Sequence, residues 1–310
     1  MNQATNQITL EDTDSPEISR AMVAARSAAG SPAMDMVLTL LVVTNDETVG
    51  EDLRTAAHMA REHPSRIIGI VMGDGRRAPR LDATVRVGED APGESIRLRL
   101  AGPLTKHAET VVLPLLLPDS PVVVWWPGKP PVSPSEDPIG RLARRRITDA
   151  ESTDAPVRTL KAIARNYAAG DTDLAWTRLT PWRALLAAAL DQAVGTVRRG
   201  TVEAGGANPA AKLLTAWLSS RLDAPVKQRP PAPGQRDSEQ IHKVVLEIDA
   251  GEIVIERLDE ISCHFSVPGS APRTVPLGAR SLAELLAEDL RRLDADEVYA
   301  ETIDHLLETS

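Results

Sequence analysis

One stretch near the N-terminus constrains the fold because it alternates between strand and helix periodicity. Residues 36–44 form a continuous β-prone apolar run, which is typical of a strand buried on both faces. Residues 51–62 follow with small and apolar residues at helical spacing, Pro64 closes that helix, and residues 66–72 form a second strand of the buried type. A strand, a helix and a strand in this order predict a βαβ unit and hence a parallel sheet.

The rest of the chain predicts a second domain. Half-buried strands at 83–87 and 95–100 extend the first sheet, and a helix follows at about 155–168. Later segments alternate like an antiparallel meander, and two acidic amphipathic helices follow them. We therefore predict an α/β protein with a flexible leader (1–34), an N-terminal α/β domain with a largely parallel or mixed sheet (35–170), and a C-terminal α+β domain with the meander and terminal helices (171–310).

Composition excludes several classes of protein. Prolines 114, 118 and 121 interrupt the longest apolar run, so we expect no membrane span. Acids precede any apolar segment, which argues against a signal peptide and predicts a cytoplasmic protein. The formal charge is −9, and residues 281–310 carry nine acids against two arginines, so nucleic acid is not an expected partner.

The sequence offers no convincing catalytic or metal-binding motif. Residues 73–78 match the G-x-G-x-x-A dinucleotide pattern, but Pro79 and a strand-like segment follow, so they predict a hairpin turn. The histidines lack metal-ligand spacing, and one cysteine, Cys263, cannot form an internal disulfide. His264 is next to it on a predicted strand, where neighbours face opposite ways. We predict a protein without catalytic residues, metal or cofactor.

Recognition chemistry is concentrated in tryptophans and arginines. Aromatic residues make up 3% of the chain, yet Trp125 and Trp126 stand side by side between an apolar strand and a proline-rich loop. Because adjacent strand residues point to opposite faces, one ring is expected to enter the core and the other to meet a second surface, a partner or solvent.

Two further groups of residues are candidates for partner binding. Arginine and tryptophan are enriched at interface hot spots, and guanidinium groups suit carboxylates and phosphates. The alternatives are a solvated arginine face paired with acids such as Glu151, and a core tryptophan pair with arginines stacked on its rim. Together with the tryptophan pair, these groups give the full set of candidate contacts for a partner. The set is Trp125, Trp126, Arg141, Arg144, Arg145, Arg146, Asp149, Trp176, Arg178, Trp182 and Arg183.

Four blocks in these regions resemble the glucose-6-phosphate dehydrogenase assembly protein OpcA family. They are Pro-Asp followed by Trp-Trp-Pro-Gly at 118–128, Asp-Pro-Ile-Gly to Arg-Ile-Thr-Asp at 137–149, Asp-Leu-Ala-Trp-Thr-Arg-Leu-Thr-Pro-Trp-Arg at 173–183, and Arg-Glu-His-Pro-Ser-Arg-Ile-Ile at 61–68. Their order and spacing agree from about residue 35 onward.

The resemblance implies a non-catalytic partner that binds glucose-6-phosphate dehydrogenase, promotes its oligomerisation and raises its activity at the entry to the oxidative pentose phosphate pathway. In photosynthetic relatives the family is linked to thioredoxin control through cysteines, which Cys263 alone cannot reproduce as an internal dithiol switch. The competing hypothesis is a small-ligand domain that senses a sugar phosphate or a nucleotide, suggested by the βαβ start and the arginine cluster.

Overall fold

The computed structural model describes residues 6–29, 36–88, 91–231 and 240–309. The strands are β1 (Asn6–Leu10), β2 (Leu38–Thr44), β3 (Ser65–Met72), β4 (Arg80–Gly88), β5 (Ala91–Ala101), β6 (Val122–Trp126), β7 (Arg145–Thr148), β8 (Asp171–Asp173), β9 (Val197–Ala204), β10 (Val226–Arg229), β11 (Ile241–Ile248), β12 (Gly251–Arg257), β13 (Ser262–Ser266) and β14 (Arg273–Pro276). The α-helices are α1 (Ser15–Ala29), α2 (Val49–Met59), α3 (Ala108–Val112), α4 (Pro156–Ala164), α5 (Leu174–Thr177), α6 (Thr180–Gln192), α7 (Pro209–Leu222), α8 (Leu282–Asp289) and α9 (Glu297–Glu308).

The chain divides into two compact units that are not continuous in sequence. Unit 1 comprises the described parts of Met1–Thr148 together with Gly170–Thr172 and Leu282–Ala295. Unit 2 comprises the described parts of Asp149–Ala169, Asp173–Ser281 and Asp296–Ser310. Helix α8 therefore belongs to unit 1, although more than a hundred residues separate it from β8 along the chain.

A mixed sheet with the strand order β1-β4-β5-β3-β2-β6-β7-β8 forms the centre of unit 1. The predicted βαβ unit is observed as β2, α2 and β3, and the two strands pair in parallel with Leu41 opposite Ile68. Strands β5, β6 and β7 extend the parallel part, whereas β4 and β1 pair antiparallel at one edge. The expected largely parallel or mixed sheet is confirmed.

Much of the predicted leader is part of unit 1. Strand β1 pairs with β4, with Ile8 opposite Val85. Helix α1 buries Ile18, Ala21, Met22 and Ala25, whose i, i+3, i+4, i+7 spacing forms one apolar face. Helix α1 is therefore stabilised by the packing of this apolar face. The polar composition of the segment gives no sign of that packing. Residues 1–5 and 30–34 of the predicted leader lie outside the described residues.

The tryptophan pair lies on a strand that is covered on both faces. Val122, Val124 and Trp126 belong to the apolar core that includes residues of α1 and α3. Alternation directs Trp125 to the opposite face, where α2 contacts β2, β3 and α8. Trp125 is 0% and Trp126 is 3% exposed. The second surface expected for one ring is therefore the other face of the chain's own sheet.

Unit 2 is built on a sheet with the order β10-β9-β11-β12-β13-β14. Strands β11, β12 and β13 form the predicted antiparallel meander, and β14 adds a further strand at its edge. Strand β10 pairs in parallel with β9 and is flanked by Pro225 and Pro230. Alternate residues such as Val244, Leu246 and Phe265 enter a core that also contains residues of α6, α7 and α9.

Replacing either tryptophan with alanine should destabilise unit 1. A large cavity would open in a packed layer in both cases, and the expected loss in the free energy of unfolding is about 3–5 kcal/mol. Urea unfolding of Trp125→Ala and Trp126→Ala measures it. Trp217→Ala is the control, because that ring is only partly buried in unit 2 and should cost less. Wild-type stability in either variant would contradict the burial of that ring.

Candidate functional site

The Trp-Trp loop, residues 127–140, follows β6 and is folded back on itself. The Asp137 carboxylate accepts hydrogen bonds from the backbone N–H groups of Ile139 (2.9 Å) and Gly140 (3.1 Å). A Cβ atom at Gly140 would lie 1.8 Å from the Pro134 carbonyl oxygen and 3.3 Å from the Trp126 ring. The Asp-Pro-Ile-Gly motif therefore fixes the conformation of the loop above the buried tryptophan. Val132, near the middle of the loop, is 61% exposed.

The predicted arginine block is split between the surface and the interior of unit 1. Arg141 and Arg144 are exposed, and Arg144 pairs with Asp294. Arg145 and Arg146 belong to β7 and are buried. A solvated helix face, the alternative interpretation, does not apply to these last two residues, because they occupy a strand within the sheet.

Each buried arginine of β7 has an acidic partner from a distant part of the sequence. Arg145 donates from Nε to Asp289 Oδ1 (2.6 Å) and from a terminal nitrogen to the Asp294 carbonyl oxygen (2.9 Å). Arg146 pairs with Asp171 and donates to the Ala143 carbonyl oxygen (3.0 Å). Neighbouring strand residues point to opposite faces, so the two arginines connect β7 to two different segments.

The Arg-Glu-His-Pro-Ser-Arg block also has structural contacts within unit 1. The His63 Nε2 atom hydrogen-bonds the Ala287 carbonyl oxygen of α8 (2.9 Å). The Arg66 guanidinium donates to Glu94 (2.8 and 3.0 Å) and to the Leu115 carbonyl oxygen (2.7 Å). Both side chains thus hold segments of unit 1 together.

In unit 2, Asp149 binds Arg178 in a bidentate pair. The two terminal nitrogens of Arg178 donate to the two carboxylate oxygens of Asp149 at 2.7 and 3.0 Å, and Glu151 lies 3.3 Å from Arg178 Nε. Burial lowers the pKa of Arg178, but the hydrogen bonds and charge of Asp149 outweigh it, so the pKa is raised. Asp149 is buried, whereas Arg178 remains partly exposed.

Trp176 is held in the core of unit 2 by polar and aromatic contacts. Its indole N–H donates to Asp296 (2.8 Å), whose other oxygen caps α9 through the Tyr299 N–H (3.0 Å). The Arg183 guanidinium lies 3.8 Å from the centre of the indole ring. Trp182 is also buried. The alternative of core tryptophans with arginine stacked on the rim describes this segment well.

Only some of the residues that the sequence predicts to contact a partner are thus exposed in the structure. Arg141 and Arg144 are exposed, Arg178 and Arg183 are partly exposed, and the remaining predicted contacts are buried. The sequence did not reveal their acidic partners, which include Asp289, Asp294 and Asp296. The acidic excess near the C-terminus, to which these three residues belong, was a signal that could have indicated them. Acids in an amphipathic helix are, however, usually interpreted as solvent-exposed.

The dinucleotide-like segment at 73–78 does not begin a helix. It leads from β3 into β4, and β5 lies between these two strands, so the expected turn is observed but the expected hairpin is not. A phosphate site would instead fall at the start of α2. There Glu51 and the buried Asp52 occupy the first turn, and the Asn45 side chain accepts the N–H groups of Glu47 (2.8 Å) and Thr48 (3.1 Å). Carboxylates there oppose phosphate binding.

The described ranges contain no group of three or more His, Cys, Asp or Glu side chains that could hold a metal ion. Within the same ranges, no helix has both the length and the apolar character that crossing a bilayer requires.

Gly140→Ala should destabilise unit 1 because the new methyl group overlaps a backbone carbonyl oxygen of the same loop. We expect a loss of about 1–3 kcal/mol in unfolding free energy, measured by urea titration. Gly128→Ala is the matched control, since nothing lies within 4 Å of a Cβ there. Equal stability of the two variants would contradict the described loop conformation.

Asp149→Asn should destabilise unit 2 by removing a charged, bidentate acceptor from Arg178. The expected loss is about 1.5–3 kcal/mol, measured by chemical unfolding. Glu151→Gln alters the more exposed acid of the same cluster, and its effect should stay within about 1 kcal/mol. A larger loss for Glu151→Gln than for Asp149→Asn would reverse the ranking of these contacts.

Comparisons with known proteins agree with the motif blocks. Residues 56–165 match the family described as the glucose-6-phosphate dehydrogenase subunit N-terminal domain, and residues 169–303 match its C-terminal domain. A protein of Synechocystis sp. named as OxPP cycle protein OpcA is 30% identical over 143 residues. That match covers 42% of this chain but only 29% of the relative, so the chain spans less than a third of that protein's length.

Solved structures show only remote similarity. KijD10, a 3-ketoreductase from Actinomadura kijaniata, has 10% identity and a TM-score of 0.48, covering 87% of this chain and 94% of that chain. An oxidoreductase from Sinorhizobium meliloti has 14% identity and a TM-score of 0.42, covering 87% and 86%. Similarity at this level supports no conclusion about a reaction or a cofactor. From the two domain matches, which together extend over residues 56–303, the chain belongs to the OpcA family of glucose-6-phosphate dehydrogenase assembly proteins.

Proposed function

We propose that this chain is a non-catalytic cytoplasmic partner of glucose-6-phosphate dehydrogenase that binds the enzyme and favours its active oligomer in the oxidative pentose phosphate pathway. The observation that carries the proposal is the match of both family domains, in order, over residues 56–303. By linkage, an activator of this kind must bind the active state of the enzyme more tightly than the inactive state.

The side-chain chemistry supports a binding role over a catalytic one. Cys263 is completely buried on β13, and burial raises the pKa of its thiol. His264 follows on the opposite face of the strand, so the two cannot form a nucleophile and base pair. The buried Arg145, Arg146 and Asp149 are engaged in ion pairs of the chain itself.

The exposed part of the Trp-Trp loop is one suitable contact for the enzyme. Buried Trp126 and Gly140 hold the loop from below, while Val132 and Lys129 are exposed and Arg141 follows at its end. A loop fixed before binding loses little conformational entropy on association, which favours affinity. In this proposal the tryptophans act by positioning the loop, and the arginines that remain exposed contact the partner.

The small-ligand hypothesis has one observation in its favour. A cleft of about 880 Å³ lies at the carboxyl edge of the parallel strands of unit 1, the edge where open α/β sheets bind ligands. Its arginines already have acidic partners, including Arg99 with Asp46 (2.8 Å) and Arg80 with Asp82 (2.8 Å). An incoming phosphate would compete with those carboxylates, so we rank ligand sensing second.

Titration of the purified protein into the dehydrogenase from the same organism tests the proposal. We expect a complex in light scattering together with a lower KM for glucose 6-phosphate or a higher kcat. A second titration, of glucose 6-phosphate into the isolated protein by calorimetry, tests the ligand hypothesis. Absence of both a complex and a kinetic change would overturn the assembly role, and saturable binding of the sugar phosphate alone would favour sensing.

A further inference from the structure

Helices α4 and α7 of unit 2 carry a cluster of basic side chains that contrasts with the acidic chain around it. Arg158, Lys161 and Arg165 follow one another at i, i+3 and i+7, which places them on one face of α4 and at its C-terminal end. Lys212 lies near the start of α7, a helix that contacts α4. We call these four residues the α4–α7 basic patch.

No carboxylate of the described residues forms an ion pair with any member of this patch. This differs from the arginines of the motif blocks, such as Arg145 and Arg178, each of which has an aspartate. The segments of α4 and α7 contain no acidic residue between Pro156 and Ala164 or between Pro209 and Leu222. In a chain with 44 acids and 35 basic residues, these two helical segments thus carry basic residues and no acid.

The surroundings of Lys212 make its positive charge unfavourable. Burial lowers the pKa of Lys212, and the charge of Lys161 lowers it further. Lys212 also lies close to the N-terminus of α7, where the helix dipole is positive. Both lysines are partly exposed, so an approaching anion can reach them. Such an anion would relieve the repulsion between the lysines and interact favourably with the dipole.

We propose that the α4–α7 basic patch binds a carboxylate-rich segment on the surface of the dehydrogenase. The inference rests on the proposed function and adds the chemistry of one contact to it. The arginines of α4 are seven residues apart, which corresponds to roughly 10 Å along a helix. This spacing suits several carboxylates along a protein segment better than one phosphate group.

A double substitution, Lys161→Met with Lys212→Met, tests the contact. It keeps long apolar side chains and removes two repelling charges, so the variant should fold at least as stably as the wild type. We expect the dissociation constant for the dehydrogenase to increase about tenfold or more, and its salt dependence to become weaker. Lys106→Met with Lys227→Met is the matched control, because it removes two exposed lysines elsewhere and should change the dissociation constant less than about twofold.

Lysine footprinting gives a readout that does not depend on substitutions. The chain has only six lysines, so an amine-reactive label followed by mass spectrometry can resolve each one. Lys161 and Lys212 should be labelled in the isolated protein and protected in the complex, while Lys106 and Lys227 should be labelled equally in both. Inorganic phosphate and an unrelated DNA duplex are added separately to the isolated protein as competing anions.

The outcomes separate this inference from the proposed function. If wild-type protein binds the dehydrogenase and the Lys161→Met, Lys212→Met variant binds it equally well, the patch is not a contact and only this inference is overturned. If phosphate or DNA protects the two lysines and the enzyme does not, a different anion occupies the patch and the inference is again overturned. If wild-type protein does not bind the enzyme at all, both proposals fail.

Discussion

The buried pair between Arg145 and Asp289 is the interaction on which the organisation of unit 1 most depends. Their side chains are 4% and 2% exposed, and they are separated by 144 residues along the chain. Breaking a buried ion pair by removing one partner typically costs about 3–5 kcal/mol, because the other charge stays buried without compensation. Strand β7 can therefore carry arginine inside the sheet only while α8 supplies its acid. The neighbouring pair of Arg146 with Asp171 connects the opposite side of β7 to β8 in the same way.

These pairs change the meaning of the motif blocks. The tryptophans, the Asp-Pro-Ile-Gly turn and half of the arginine block are largely committed to internal contacts. A side chain at Gly140 would overlap a carbonyl oxygen, and Trp126 is buried in a packed layer. Asp149 forms an ion pair with Arg178. Internal contacts of this kind are compatible with a binding function, because rigid elements beneath a loop determine the conformation of that loop. Of the predicted contacts, Arg141 and Arg144 stay exposed, and Arg178 and Arg183 stay partly exposed.

Periodicity alone predicted a large part of the fold. The strand, helix and strand of 36–72 and the antiparallel meander have strong local patterns, and both are present. Strand β7 was missed because two adjacent arginines resemble a solvated face, and the acids that neutralise them lie far away in sequence. Strand β10 is a four-residue strand in a proline-rich stretch, and it is stabilised by pairing with β9. For the predicted contact residues, the sequence could not tell which side chains point inward, since that depends on which faces of each strand are covered.

The discontinuity of unit 1 has a consequence for how the protein is made. A ribosome releases residues in order, yet unit 1 includes both β1 and α8, which are far apart along the chain. Asp289, the partner of Arg145, is synthesised after every strand that the described residues contain. Until α8 is available, the face of the sheet that it covers stays exposed, and exposed apolar surface of this type favours aggregation or chaperone binding. Completion of this unit therefore waits for α8, and loop closure over more than a hundred residues contributes to a slow folding step.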